Sequence, residues 1–108
     1  MQDADATGLD DLIWALPRVL RPAEAVGWRT RMRINVGGTA RADLVVEAPT
    51  ATVEAISDTP PDTTLELGQA EAASILRGEL PPLTALQQGV LSIDNLGDLF
   101  QFARAFEL

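Results

Sequence analysis

Residues 28 to 36, WRTRMRINV, alternate without a break: Trp28, Thr30, Met32, Ile34 and Val36 fall on one side of an extended chain, Arg29, Arg31, Arg33 and Asn35 on the other. Successive side chains of a strand point to opposite faces, so this segment belongs to a sheet covered on one side. The next run, ARADLVVEA, must pair with it across Gly37-Gly38. A two-residue turn would set Met32 opposite Asp43 and Arg31 opposite Leu44, mixing charge with apolar groups on both faces. A three-residue turn, Gly37 to Thr39, sets Ile34 against Ala42, Met32 against Leu44 and Thr30 against Val46. The other face then gains Arg33 with Asp43 and Arg29 with Glu47, exposed pairs worth about 0.2 to 1 kcal/mol each. The sequence therefore predicts the three-residue turn, with the arginine row as an outer sheet surface and an anion site as its lesser reading.

The flanking segments build around this hairpin. Residues 1 to 7 are polar and are expected to fray, leaving 8 to 108 as one domain. Leu9, Leu12, Ile13, Leu16 and Leu20 recur at helical spacing, and Pro17 must end or kink that helix because it lacks an N–H. Pro22 and Gly27 bracket a short second helix. After the hairpin, ATVEAIS reads as a third strand with Val53 beside Val46, and TTLEL as a fourth with Leu65 and Leu67 inward. The period then changes. QAEAASILR is a helix closed by Gly78, Pro81-Pro82 leads another through Leu83 and Leu86 to Gly89, and Val90 to Ile93 is a short fifth strand. Asn95 is placed to cap a last helix whose apolar stripe reads Leu96, Leu99, Phe100, Ala103 and Phe106. The fold class is α+β, a mostly antiparallel five-stranded sheet with short helices on one face.

Composition narrows the chemistry. The net charge is -8 and all 8 cations are arginine, which disfavours nucleic acid and stable membrane anchoring. His, Lys, Cys and Tyr are absent, so the common general bases, Schiff-base amines and thiol nucleophiles are missing, and Ser57, Ser74 and Ser92 have no histidine to activate them. The expectation is no enzyme, no cofactor and no metal. Asp10 with Asp11, or Asp58 with Asp62, might share a proton or a cation in principle; the plainer reading is a solvated helix start and a solvated loop. The acidic start and the lack of a long apolar run lead us to expect a soluble, cytoplasmic protein.

The segment GELPPLTALQQGVLSI carries the remaining signal. A helix, then Gly78, Leu80, Pro82, Ala85 and Gly89, then an apolar strand resembles the sterol carrier protein type 2 (sterol-transfer) family, whose members read G-x-L-x-P-x-x-A-x-x-x-G there. The resemblance spans about residues 17 to 106 and includes the RPAEAVG segment and the TTLEL strand. It implies a curved sheet with a hydrophobic tunnel under the helices that takes sterols, fatty acyl chains or other lipids. Three departures stand against it: Asp94-Asn95 replaces the family's Gly-Asp, Phe-Glu-Leu is not a peroxisomal address, and the charge is acidic. The family also includes domains fused to or serving enzymes, so the fold does not fix the ligand.

The residues expected around the pocket are Trp28, Met32, Ile34, Leu44, Val46, Ile75, Leu83, Leu86, Leu91, Phe102 and Phe106. The expected function is non-catalytic binding or carriage of a hydrophobic small molecule or lipid. The alternative is a protein-interaction or dimerisation module, a homodimer or a partner enzyme covering the apolar face through Phe100, Phe102 and Phe106. A dry cavity of ~300 Å³ would cost about 7 kcal/mol, as much as the whole stability of a small domain. The tunnel should therefore be filled by lipid, closed by its own helices or covered by a partner.

Overall fold

The structure, a computed structural model, describes residues 3 to 106 and 108, with side chains from Gly8 onward. Strands β1 (Arg29–Val36) and β2 (Thr39–Glu47) pair with Met32 opposite Leu44, Thr30 opposite Val46 and Arg33 opposite Asp43, as the charge pattern requires. The device differs from the expected three-residue turn. Gly37 and Gly38, at φ +62° and +84°, form a two-residue turn in the left-handed region that glycine tolerates. The odd residue is Arg41, a bulge in β2: Asn35 faces Ala40 whereas Ile34 faces Ala42. The bulge sends the Arg41 guanidinium to Asp10, 2.6 Å away.

Strand β3 (Thr50–Glu54) continues the meander, with Val53 opposite Leu44 and Ala51 opposite Val46. This corrects the expected Val53–Val46 pairing: the link is only Ala48-Pro49, so the register closes two residues earlier. Strand β4 (Thr63–Leu67) runs parallel to β1 on its far side, and β5 (Leu91–Ile93) pairs antiparallel with β4, giving the order β3-β2-β1-β4-β5. Three pairings are antiparallel and one parallel.

To reach β4 from the opposite edge, residues 55 to 62 must return across β2 and β1. Arg33 donates to the carbonyls of Ser57 (3.4 Å) and Thr59 (3.0 Å), and Arg31 and Asp62 exchange bonds of 2.9 and 2.8 Å. Asp43 is fully buried, accepting from Arg33 Nε at 2.8 Å and from Arg31 Nη1 at 3.0 Å, and Arg31 also reaches Glu54 at 2.9 Å. The expected solvated pair is thus a buried carboxylate between two guanidiniums. Burial alone would push the Asp43 carboxyl up, but the arginine hydrogen bonds and charges outweigh it and hold the group below the usual carboxylate range. Arg29 and Glu47 do remain exposed.

The other face carries the helices: α1 (Asp3–Trp14), α2 (Leu16–Val19), the 3₁₀ turn Pro22–Glu24, α3 (Gln69–Leu76), α4 (Pro82–Gln87) and α5 (Leu96–Ala105). Pro17 marks the α1–α2 break, where the chain turns at Ala15. The expected frayed segment falls partly outside the described residues; helix α1 is assigned from Asp3. Helix α1 packs on α3, α2 on β3, and α5 touches both the 3₁₀ turn and α4. Leu9, Ile13, Met32, Leu44, Leu99 and Phe102 anchor the core between the layers.

Helix α5 presents a different stripe from the one expected. Asp98, Leu99, Phe102, Ala105 and Phe106 face inward, while Leu96 and Phe100 are exposed. The expected stripe and this one differ by a modest rotation about the helix axis. A polar anchor, Asp98, selects between them.

Candidate functional site: the apolar seam beneath α3

All eleven residues expected around the pocket lie at the sheet–helix layer. Trp28, Met32, Ile34, Leu44, Val46, Ile75, Leu91, Phe102 and Phe106 are buried, and Leu83 and Leu86 of α4 are half-buried at its margin. They do not surround a tunnel. The interior void has a volume of about 10 Å³, the room one water needs, and is lined by Ile34, Leu65, Leu67, Ala72, Ile75, Leu76 and Phe102. Only Ile34, Ile75 and Phe102 of the eleven reach it; the others are packed elsewhere in the core. Of the ways to avoid a large dry cavity, this conformation takes closure by its own helices.

Four lining residues were not among those expected. Leu65 and Leu67 show their inward phase in the TTLEL alternation. Ala72 and Leu76 flank Ile75 at helical spacing, so a reading of all of α3, rather than of Ile75 alone, finds them.

The roof over the void comes from α3, and its inner wall from α5. Phe102 and Phe106 stack at a ring-centroid distance of 5.3 Å, and Trp28 meets Phe106 edge-on at 6.3 Å. Asp98 orients this wall. Its carboxylate accepts from Trp28 Nε1 at 3.1 Å, from Thr30 Oγ1 at 2.6 Å and from the Thr63 hydroxyl, joining α5 to β1 and β4. Asp98 sits in the first turn of α5, where the helix dipole favours an anion, and its own N–H donates to the capping Asn95 side chain at 3.2 Å.

The expected aromatic docking face does not form. Phe102 and Phe106 are buried, leaving Phe100 with Leu96 as the exposed apolar pair on α5. The acid pairs are separated in role: Asp10 holds Arg41, and Asp62 accepts the Arg31 backbone N–H. Among the described residues no three His, Cys, Asp or Glu side chains come together as metal ligands, and no helix is long and apolar enough to cross a membrane.

This arrangement of sheet, helices and apolar seam recurs in solved structures. The inverting sec-alkylsulfatase Pisa1 from Pseudomonas sp. matches with a TM-score of 0.66 and 21% identity over 83% of this chain. The chain spans only 15% of that enzyme's length. Palmitated SCP2L2 from Aedes aegypti matches at 0.62 and 19% identity, over 85% of this chain and 84% of its own. Sterol carrier protein 2 from Yarrowia lipolytica, in its apo form, matches at 0.59 and 13% identity over 93% and 91% of the two chains. No protein-family model and no curated protein matches the sequence. The chain has the sterol carrier protein 2 fold, an open five-stranded α+β sheet with helices on one face.

Proposed function

We propose that residues 8 to 108 act as one non-catalytic cytoplasmic domain that binds or carries a hydrophobic ligand between the sheet and α3. The observation that supports it is the wholly apolar lining of the seam beneath a helix built mostly of small residues, Ala70, Ala72, Ala73 and Ser74. Only Ala72 and Ile75 of α3 are fully buried, so lifting it exposes little beyond what a ligand would cover again. A bound acyl chain offsets the opening by up to ~0.8 kcal/mol per buried methylene. The shared fold with a palmitated protein agrees with this reading. Native mass spectrometry of the purified protein, followed by thermal unfolding with acyl, isoprenoid and sterol ligands, tests it: a co-purifying lipid or a raised Tm is expected. Absence of both removes the carrier reading.

A second reading has its own support. The likeness to one part of an alkylsulfatase, together with the exposed Leu96 and Phe100, favours a domain that also docks on an enzyme. Sedimentation of the wild type and of Leu96→Ser/Phe100→Ser tests the self-association form of this reading, which predicts a mass difference between them.

A further inference from the structure

Leu76 belongs to two cavities. From one side it lines the 10 Å³ void, and from the other it lines an open groove of about 240 Å³ formed with Leu12, Leu16, Val19 and Phe106 at the α1–α2 break. A single half-buried side chain therefore separates the interior from an external apolar channel. The second partition is aromatic: Phe106 walls the groove and stacks on Phe102, which walls the void. Leu76 is the last residue of α3, and Gly78, at φ +79°, follows it in the groove wall. The last turn of α3 thus ends on a residue whose backbone adopts the left-handed region without steric cost.

The groove has one charged lining residue, Arg77. It is exposed, and its guanidinium has no hydrogen bond or ion pair among the described residues. In a chain of net charge -8, with Arg31, Arg33 and Arg41 all committed to carboxylates, a free arginine beside an apolar channel is complementary to an anionic head on an apolar tail. The width of the partition decides the tail. Rotation of one leucyl side chain admits a single alkyl chain, whereas a fused ring system needs the whole of α3 displaced.

We infer that the ligand is a single-chain anionic amphiphile, held head-first at Arg77 in the groove between α1–α2 and α3, with its tail passing Leu76 into the seam under α3. This rests on the proposed hydrophobic-ligand function and gives it a ligand class and a way in. Head groups as different as a carboxylate and a sulfate share the chemistry that Arg77 recognises.

Calorimetry with dodecanoate and 1-dodecanol, which differ in head charge and share a tail, tests the inference. Wild type should bind dodecanoate roughly fivefold or more tighter than dodecanol, and Arg77→Glu should abolish that preference by weakening dodecanoate alone. High salt should narrow it in the same direction. Leu76→Trp should slow association of both ligands in stopped flow. Because Arg77 is exposed, its reversal leaves the fold intact and carries the test even if the Leu76 variant does not fold. If both ligands bind and Arg77→Glu leaves dodecanoate affinity unchanged, the inference is overturned while the carrier function stands. If neither ligand binds wild type and no lipid co-purifies, both are overturned together.

Discussion

Helices α3 and α5 lie on the same face of one sheet, with 8 and 10 residues, yet they are held in opposite ways. Helix α5 is bolted by directional bonds at both ends. Asp98 ties its first turn to Trp28, Thr30 and Thr63, while Arg21 donates its backbone N–H to Ala105 at 2.8 Å and its guanidinium to the Arg104 carbonyl. Among the described residues, no α3 side chain hydrogen-bonds to the sheet, and its first turn has Gly68 in place of a capping side chain. Ala72, Ile75 and Leu76 hold it by apolar contact over the void. Hydrogen bonds fix a geometry and apolar contacts fix only a burial, so one wall of the seam keeps its shape and the other can yield.

Removing the bolt should have the largest effect. Asp98→Ala strands the Trp28 N–H and two threonine hydroxyls in the interior, a loss of about 4 kcal/mol, read as a shifted denaturant midpoint. Near-UV circular dichroism should change with it, because Trp28 and Phe106 lose their fixed packing. A cost below about 1 kcal/mol would mean that α5 is held by its aromatics alone, and the contrast would collapse.

Ile75→Ala deletes the main contact of the yielding wall and should cost about 3 kcal/mol, with a cavity left in place of the side chain. The distinguishing outcome is rescue. A hydrophobic ligand that fills the space should raise the Tm of Ile75→Ala by more than that of wild type and should leave Asp98→Ala no better than wild type. Equal shifts in all three proteins would mean that the ligand sits away from α3.

Acid sharpens the comparison by acting on neither helix. The Asp43 carboxyl lies below its ordinary value in the folded chain, so its contribution is present above the unfolded value of about 3.9 and is lost as pH falls through the folded one. The stability advantage of wild type over Asp43→Asn should be steady from about pH 7 to pH 5 and shrink below about pH 4. An advantage that grew as pH fell would contradict the burial of that carboxylate between its arginines.

The sheet was legible because a strand's period is fixed by the pleat and a wrong register puts charge on the apolar face. The hairpin shows the limit of such reading. A longer turn and a bulge at Arg41 produce the same offset, so the charge pattern fixes the partners and leaves the site of the extra residue open. The phase of α5 was not legible, since Asp98 meets donors 70, 68 and 35 positions away in the chain. Burial of Asp43 depends on the crossover, residues 55 to 62, lying over it, which no local pattern announces. The size of the void depends on how Ala72 and Leu76 seat against Leu65 and Leu67, a matter of packing and not of period.

The smallest expected effect lies at the end of α3. Gly78 has open space where a Cβ would stand, so Gly78→Ala meets no steric neighbour, and its cost is the left-handed backbone alone, about 1 kcal/mol. Strain at this point pulls on the turn that carries Leu76, and α3 has no hydrogen bond to the sheet with which to resist. Amide hydrogen exchange should therefore quicken in α3 and remain unchanged in α5, although the substitution touches no residue of the seam. Equal acceleration in both helices would show that they open as one unit, and the fixed wall and the yielding wall would be a single lid.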